Sequence, residues 1–373
     1  MGQKAYLIGI RKMRESKEKA LDSLEELVLL SKTAGAAVSG KVLKNLKSID
    51  PAFYLSKGIL EDIKKAIYES GSDIAIIDVD LTPAQERNLS EYWDINIIDR
   101  TRLILDIFAT RARTAEAKFQ VELAILNYIL PRLKGAGIML SRTGAGIGTR
   151  GPGETKLETD RRKIRQRISH IMKKLRLLEK TQNLHRSKRE KHGLSTVTLV
   201  GYTNSGKTTL LKALTGSGKG GENKLFATLG TKMGSIYNQK NEKNVIILDT
   251  VGFIQNLPAF LIKSFKTTLE EAVNSDILIH VVDPSHEDAF NKSQEVVNIL
   301  DSIGSLDKPI ITLLNKIDLL PEDQVKFLQI KFEQLTGRRV IPVSAKTGKN
   351  LGLLKEEIFN NLCEIKEDLK WCV

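Results

Sequence analysis

Cysteine is nearly absent from this chain: Cys363 and Cys372 are the only two among 373 residues. A pair so close together near the C-terminus offers neither a disulfide framework nor metal spacing, which fits a reducing cytoplasm. Long apolar runs are missing as well. None approaches the roughly 18 to 20 residues of a membrane helix, and 28% of residues are charged, so no membrane partner is expected. The start, Met1 to Tyr6, has no long apolar segment behind it and no Ser or Thr at the sixth position, so neither export nor myristoylation is expected. The five histidines are scattered without ligand spacing, and no zinc site is assigned.

Positive charge is in excess, and it is localised. The net charge is +13, and residues 111–191 hold 21 Lys or Arg against 7 Asp or Glu. The rest of the chain is close to neutral. A confined basic block is the electrostatic footprint of a polyanion, because neutralising phosphates releases counterions. A solvated helix face with surplus lysine is the alternative. Aromatic residues are almost absent from the block, which argues against base stacking and for backbone or shape recognition of folded RNA.

A chain of this length suggests two or three domains. Residues 4–105 alternate as an open α/β unit. The run Ala5 to Ile10 reads as a strand, Ala20 to Leu30 as an amphipathic helix, and Ala36 to Val42 as a further strand. Ile59 to Ile67 follow as a second helix, and Ile74 to Val79 as a parallel strand covered on both sides. Thr82-Pro83 reads as an N-cap followed by Pro at the first helical position, and Ile95 to Ile98 as a strand. The spacing then changes. Phe119, Leu123, Leu126, Leu130 and Leu133 step by four and three, as do Ile164, Ile168, Ile171, Leu175 and Leu178. Each series predicts a helix with one narrow stripe, and the two can zip as an antiparallel hairpin. Pro131 is expected to end or kink the first helix. Between them, 144–153 carries five glycines, a backbone-exposing tip that could approach RNA with Arg142 and Arg150, or a mere connector. Arg161, Arg162, Arg165, Lys173 and Lys174 on the second helix are the other candidate RNA contacts.

The chemistry lies further on. The strand-like Thr196 to Val200 feeds Gly201-Tyr202-Thr203-Asn204-Ser205-Gly206-Lys207-Thr208-Thr209. Two glycines allow a turn whose N–H groups face phosphate oxygens, Lys207 reaches the terminal phosphates, and Thr208 can hold Mg²⁺. Val245 to Leu248 end in Asp249-Thr250-Val251-Gly252, placing a carboxylate to hold Mg²⁺ through water and a Gly252 N–H for the γ-phosphate. Ile310 to Leu314 lead into Asn315-Lys316-Ile317-Asp318, where the Asp318 carboxylate matches the two donors of guanine and adenine offers no such pair. Ser344-Ala345-Lys346 adds a backbone N–H for the guanine oxygen and a lysine to cover the base. In order, these motifs predict a GTP/GDP site. Between loop and Asp249, the run containing Phe226 and Thr228 is expected to complete the site and its Mg²⁺ shell, with Thr231 the alternative hydroxyl. No side-chain base is identified. Phe253 stands where many such hydrolases carry Gln, so slow, partner-stimulated hydrolysis is expected. Asn204 can help coordinate K⁺, or it is a loop-stabilising amide.

Gly201 to Lys207, Phe226-Ala227-Thr228-Leu229, Asp249 to Phe253 and above all Arg150-Gly151-Pro152-Gly153-Glu154-Thr155-Lys156-Leu157-Glu158 resemble the HflX family of ribosome-associated GTPases. So do Pro51 to Gly58 and Phe119 to Ala124. The likeness covers nearly the whole chain. It implies an N-terminal α/β domain, a hairpin that contacts ribosomal RNA, and a P-loop GTPase domain acting on the large ribosomal subunit in splitting stalled ribosomes. Ala145 replaces a usual Gly, and Gly230 stands where an acid is common. The further C-terminal domain of some relatives is not expected. The resulting expectation is a cytoplasmic monomer with an α/β domain at 1–108, a basic antiparallel coiled-coil hairpin at 109–192 and a GTPase domain at 193–373. The rival is a regulatory switch for a protein effector, with the hairpin as a dimerisation coil.

Overall fold

The computed structural model describes residues 2–140, 152–191, 193–216, 226, 232–238, 243–255, 258, 261 and 273–371. The chain forms two compact units, Met1–Leu177 and Leu178–Val373.

In the first unit, β1 (Lys4–Lys12), β2 (Ala37–Leu46), β3 (Ile74–Ile77) and β4 (Asn96–Asp99) form a sheet ordered β2-β1-β3-β4, parallel throughout. All four residues of β3 are buried, as an unbroken apolar run in a parallel sheet requires. The helices are α1 (Lys17–Thr33), α2 (Lys57–Ser70), α3 (Pro83–Trp93) and α4 (Arg100–Arg111). Ser16 and Asp99 cap α1 and α4, and Thr82 with Gln85 makes a full capping box for α3. The sequence reading did not mark α4. Its first residue, Arg100, is 1% exposed and paired with Glu26 and Asp78, so a charge sits where periodicity expects an apolar side chain.

The helix α5 (Ala115–Leu140) departs from expectation twice. It continues through Pro131, which deletes one hydrogen bond to the Asn127 carbonyl without ending the helix. Its buried residues are also not the predicted stripe. Ala117, Gln120, Val121, Ala124 and Tyr128 are buried as α5 packs on α3 and α4, whereas Phe119, Leu123, Leu126 and Leu130 are only half-buried. The helix is therefore apolar on two faces, one for the α/β sheet unit and one for the next helix. Polar groups fix the first. Tyr128 Oη donates to Asp99 at 3.0 Å, and Arg132 donates to Asp99 at 3.0 Å, Glu86 at 2.8 Å and the Leu81 carbonyl at 2.8 Å.

The long α6 (Pro152–Lys191) does keep a narrow stripe: Ile164, Ile168, Leu175 and Leu178 are half-buried and Ile171 fully so, amid exposed charge. It runs antiparallel to α5, with Arg167 bidentate to Glu122 and Lys174 over the Phe119 ring. Pro152 and Gly153, read as loop, open this helix, Pro at the first position being compatible with helical φ. Arg142, Arg150 and the rest of the glycine-rich stretch lie outside the described residues.

The second unit holds a six-stranded sheet ordered β10-β9-β8-β5-β7-β6. Its strands are β5 (Ser195–Gly201), β6 (Lys232–Asn238), β7 (Lys243–Asp249), β8 (Ile277–Val282), β9 (Ile310–Leu314) and β10 (Val340–Pro342). Among the described strands only β6 is antiparallel, at the edge. Helices α7 (Lys207–Thr215), α8 (Ala289–Ser302), α9 (Glu322–Thr336) and α10 (Leu351–Trp371) accompany it. Leu210 and Leu214 of α7 and Leu354, Ile358 and Leu362 of α10 pack on Val197, Leu199, Ile279 and Leu313. The opposite face is covered by Val296 and Leu300 of α8.

Candidate functional site

The phosphate loop leaves β5 where the strand is wholly buried, and its two glycines are required by space as well as by φ. Gly201 has φ +149°, and a Cβ there would lie 2.3 Å from the Val281 carbonyl oxygen. Gly206 has φ +95°, and a Cβ would lie 2.2 Å from Asn315 Nδ2. Any side chain at either position would push the loop off β8 or off the Asn315 amide. Asn204 also takes a positive φ, of 61°.

Lys207 opens α7 and is 6% exposed; its ammonium donates to the carbonyls of Gly201 at 2.9 Å and Tyr202 at 2.7 Å. Burial lowers its pKa to about 8, although Asp249 opposes the shift. An amine in that state gains from a phosphate anion more than an exposed lysine does. The next residue, Thr208, donates to Asp249 Oδ2 at 2.7 Å, and that carboxylate is fully buried at the end of β7. The Thr208 hydroxyl on α7 and the Asp249 carboxylate at the end of β7 are hard oxygen donors of the kind that suit Mg²⁺. Thr209, partly buried on α7, follows them.

Gly252 lies against the loop. A Cβ there would be 2.8 Å from Thr203 Cα and 2.9 Å from Lys207 Nζ. Tyr202 and Phe253 form an isolated bridge, with the Thr203 N–H donating to the Phe253 carbonyl at 2.6 Å and the Phe253 N–H to the Gly201 carbonyl at 3.1 Å. The Phe253 ring is 2% exposed among Val200, Leu278, Val296, Leu300 and Ile310. It points into the core and has no part in proton chemistry.

The base-reading motifs meet the same loop. Asn315 Nδ2 donates to the Ser205 carbonyl at 2.8 Å while its Oδ1 accepts from the Ala345 N–H at 3.0 Å, joining three segments through one buried amide. Ser344 Oγ donates to Asp318 Oδ1 at 2.6 Å, fixing the carboxylate that the sequence assigns to guanine. Lys316 and Lys346 flank it, the latter exposed. Phe226 is 2% exposed with φ +54°, but Thr228 and the alternative Thr231 lie outside the described residues. Of the candidate RNA contacts, Arg162, Arg165 and Lys173 are exposed on α6, Arg161 is half-buried, and Lys174 is exposed with its ammonium over Phe119.

One positioning residue escaped the sequence reading. Asp283, directly after β8, pairs with Lys316 Nζ at 2.7 Å and accepts from the Ser285 N–H and hydroxyl at 3.1 and 2.6 Å. Its signal was available: an acid immediately after the buried run Ile277–Val282, the same signature that marks Asp249.

A phosphate loop between the central strand and the first helix of a mainly parallel sheet, with an Asn-Lys-x-Asp motif at a neighbouring strand end, defines the P-loop GTPase class. Comparison with known proteins agrees. The chain matches the families described as GTP-binding GTPase N-terminal over residues 21–109, GTP-binding GTPase Middle Region over 111–189 and 50S ribosome-binding GTPase over 196–316. It is 48% identical over 318 residues to the GTPase HflX of Caldanaerobacter subterraneus, covering 85% of this chain and 73% of that one. With the GTPase HflX of Escherichia coli it shares 36% over 361 residues, 97% and 83% of the two chains. A GTP-binding protein of Sulfolobus solfataricus, solved with GDP, superimposes with a TM-score of 0.50 at 28% identity over 97% of this chain and 99% of that one. The chain belongs to the HflX family of GTPases and is a GTP-hydrolysing enzyme. Among the described residues no helix is long and apolar enough to cross a membrane.

Proposed function

We propose that this GTPase acts in the cytoplasm on the large ribosomal subunit, as a monomer that splits or rescues stalled ribosomes in a nucleotide-dependent cycle. The domains behind this reading are an α/β domain at 1–108, a basic hairpin at 109–192 and the GTPase domain at 193–373. Gly201 to Thr209, Gly252 and Lys207 would cradle the phosphates, and Asn315, Lys316, Asp318, Ser344, Ala345 and Lys346 would hold guanine. Thr208 and Asp249, with Thr228, would hold Mg²⁺, which when bound neutralises charge on the phosphates. Asn204, with its left-handed backbone, is the candidate ligand for K⁺.

The observation that carries the ribosomal reading is the confinement of excess positive charge to 111–191, displayed in the described part by exposed Arg162, Arg165 and Lys173 on α6. The description of the matched family as ribosome-binding supports the same partner. A dimerisation coil is less well supported, because the α6 stripe is already engaged within the chain: Ile171 is fully buried and Arg167 is spent on Glu122.

Replacing Arg162, Arg165 and Lys173 by Gln together tests the reading. Binding to large subunits should weaken, and the slope of log affinity against log salt should fall by about 2 to 3, roughly one for each phosphate no longer neutralised. GTP affinity should be unchanged. An unaltered salt slope would remove α6 from the RNA interface.

A further inference from the structure

We propose that Thr203 is a catalytic residue whose hydroxyl donates a hydrogen bond to the γ-phosphoryl group of GTP as it is transferred to water. The proposal rests on the nucleotide site assigned above.

Three observations converge. First, Thr203 is 7% exposed, and its hydroxyl has no hydrogen-bond partner among the described residues. Leaving a buried hydroxyl unpaired is costly, and folded proteins pair nearly all such groups. A threonine retained at that cost, where valine has the same shape, points to a partner outside the polypeptide.

Second, its neighbours are the groups assigned above to the terminal phosphate. The Thr203 Cα and Cγ2 lie 2.8 and 2.9 Å from a Cβ built on Gly252, and Lys207 Nζ lies 2.9 Å from the same point. Thr203, Gly252 and the Lys207 ammonium therefore close around one small volume. The Ser205 hydroxyl is also buried without a partner, but it lies on the other side of the loop, 3.2 Å from a Cβ built on Gly201 and beside β8.

Third, the side chain that orients the attacking water in many related hydrolases is missing. The Phe253 ring is sequestered in the apolar cluster, and only its backbone reaches the loop, through the Thr203 amide. With the backbone N–H of Thr203 committed to Phe253, the side-chain hydroxyl is the free donor of that residue.

In the reaction, water oxygen bonds to the γ-phosphorus, the bond to the β,γ-bridging oxygen breaks with its electron pair going to GDP, and both water protons leave with inorganic phosphate as H₂PO₄⁻. Thr203 keeps its proton. Its hydrogen bond stabilises charge on the transferring group, an interaction that strengthens in the transition state.

The test compares T203V, T203S and the unsubstituted full chain. Expected for T203V is a fall in single-turnover GTP hydrolysis of about tenfold or more, the scale of one lost oxyanion donor. GDP affinity should stay within about twofold, separating a transition-state loss from lost ground-state binding. T203S should retain most of the rate. The nucleotide-free T203V protein should melt at the same or a higher temperature, because an unpaired buried hydroxyl is replaced by a methyl group. Hydrolysis by T203V at the original rate would overturn the proposal. So would a lower melting temperature with equal losses of affinity for GDP and a non-hydrolysable GTP analogue, since that pattern marks a structural role. K207A reports on the site itself: undiminished nucleotide binding there would contradict the site assignment, whatever T203V does.

Discussion

The Phe253 carbonyl accepts the Thr203 N–H at 2.6 Å while its ring packs against Val200, Leu278 and Val296. The backbone thus belongs to the phosphate loop and the side chain to the core. Substituting Gln at this position, the residue many related hydrolases use to orient water, should not raise turnover. The amide would replace a ring that is 2% exposed, costing about 3 kcal/mol of stability, as large-to-small core changes do. Chemical denaturation and turnover of F253Q check this together; a stable, faster enzyme would show that the ring can leave its pocket freely.

Lys207 titrates in the folded chain near 8, against a usual value of 10.5, because burial disfavours its charge. The unfolded chain therefore binds the extra proton between these values. The stability contribution of this group is complete above about 10.5 and is lost as pH falls to about 8. In nucleotide-free protein, K207M should remove that slope, so its stability relative to the original chain should be most favourable near pH 7 and decline by pH 10. A constant difference across that range would mean Lys207 is not desolvated as its burial indicates.

Much of this was legible in the sequence, for identifiable reasons. Fixed backbone requirements leave fixed residues: Gly201, Gly206 and the Asn315 amide are demanded by contacts of 2 to 3 Å, so the motif is local and readable. Runs such as Ile74 to Ile77 announce a doubly covered strand because no polar residue fits there. The misses involve partners distant in sequence. The α4 helix is obscured by Arg100, which satisfies its charge against Glu26 and Asp78. The second apolar face of α5, with Ala117, Ala124 and Tyr128, is intelligible only once α3 and α4 lie against it. Asp283 looks like any strand-end acid until Lys316 is brought to it. Strand β6 went unmarked because Lys232 to Asn238 is an edge with mostly exposed or half-buried side chains.

The tie between α5 and the N-terminal sheet passes through Asp99, whose pKa burial raises to about 6 while Arg132, Tyr128 and two backbone N–H groups pull it down. Because the folded chain holds that proton more tightly, this group's contribution to stability is present at pH 4 and lost as pH rises through about 6. R132A should steepen the loss by stripping the carboxylate of its guanidinium. The expected deficit at pH 8 is about 2 to 4 kcal/mol, smaller at pH 5, with GTP affinity unchanged. Equal deficits at the two pH values would mean that Arg132 acts through packing and not through charge.

Asp318 receives the Ser344 hydroxyl at 2.6 Å, which fixes the carboxylate proposed above to read guanine. D318N should lose at least about 2 kcal/mol of preference for GTP over ATP, the scale of an unpaired donor facing a mismatched group. Competition binding with the two nucleotides measures it, and unchanged selectivity would reassign the base contact. S344A should show a smaller loss in the same direction, because it frees the carboxylate without removing it.

The most direct measurement is the GTP turnover of the purified full chain at fixed Mg²⁺ and K⁺, alone and with added large ribosomal subunits. With Phe253 withdrawn, slow turnover alone and a marked rise with subunits is the expected result. Demonstrable binding to the subunits with no change in turnover would contradict the reading that the large ribosomal subunit is the partner that stimulates hydrolysis.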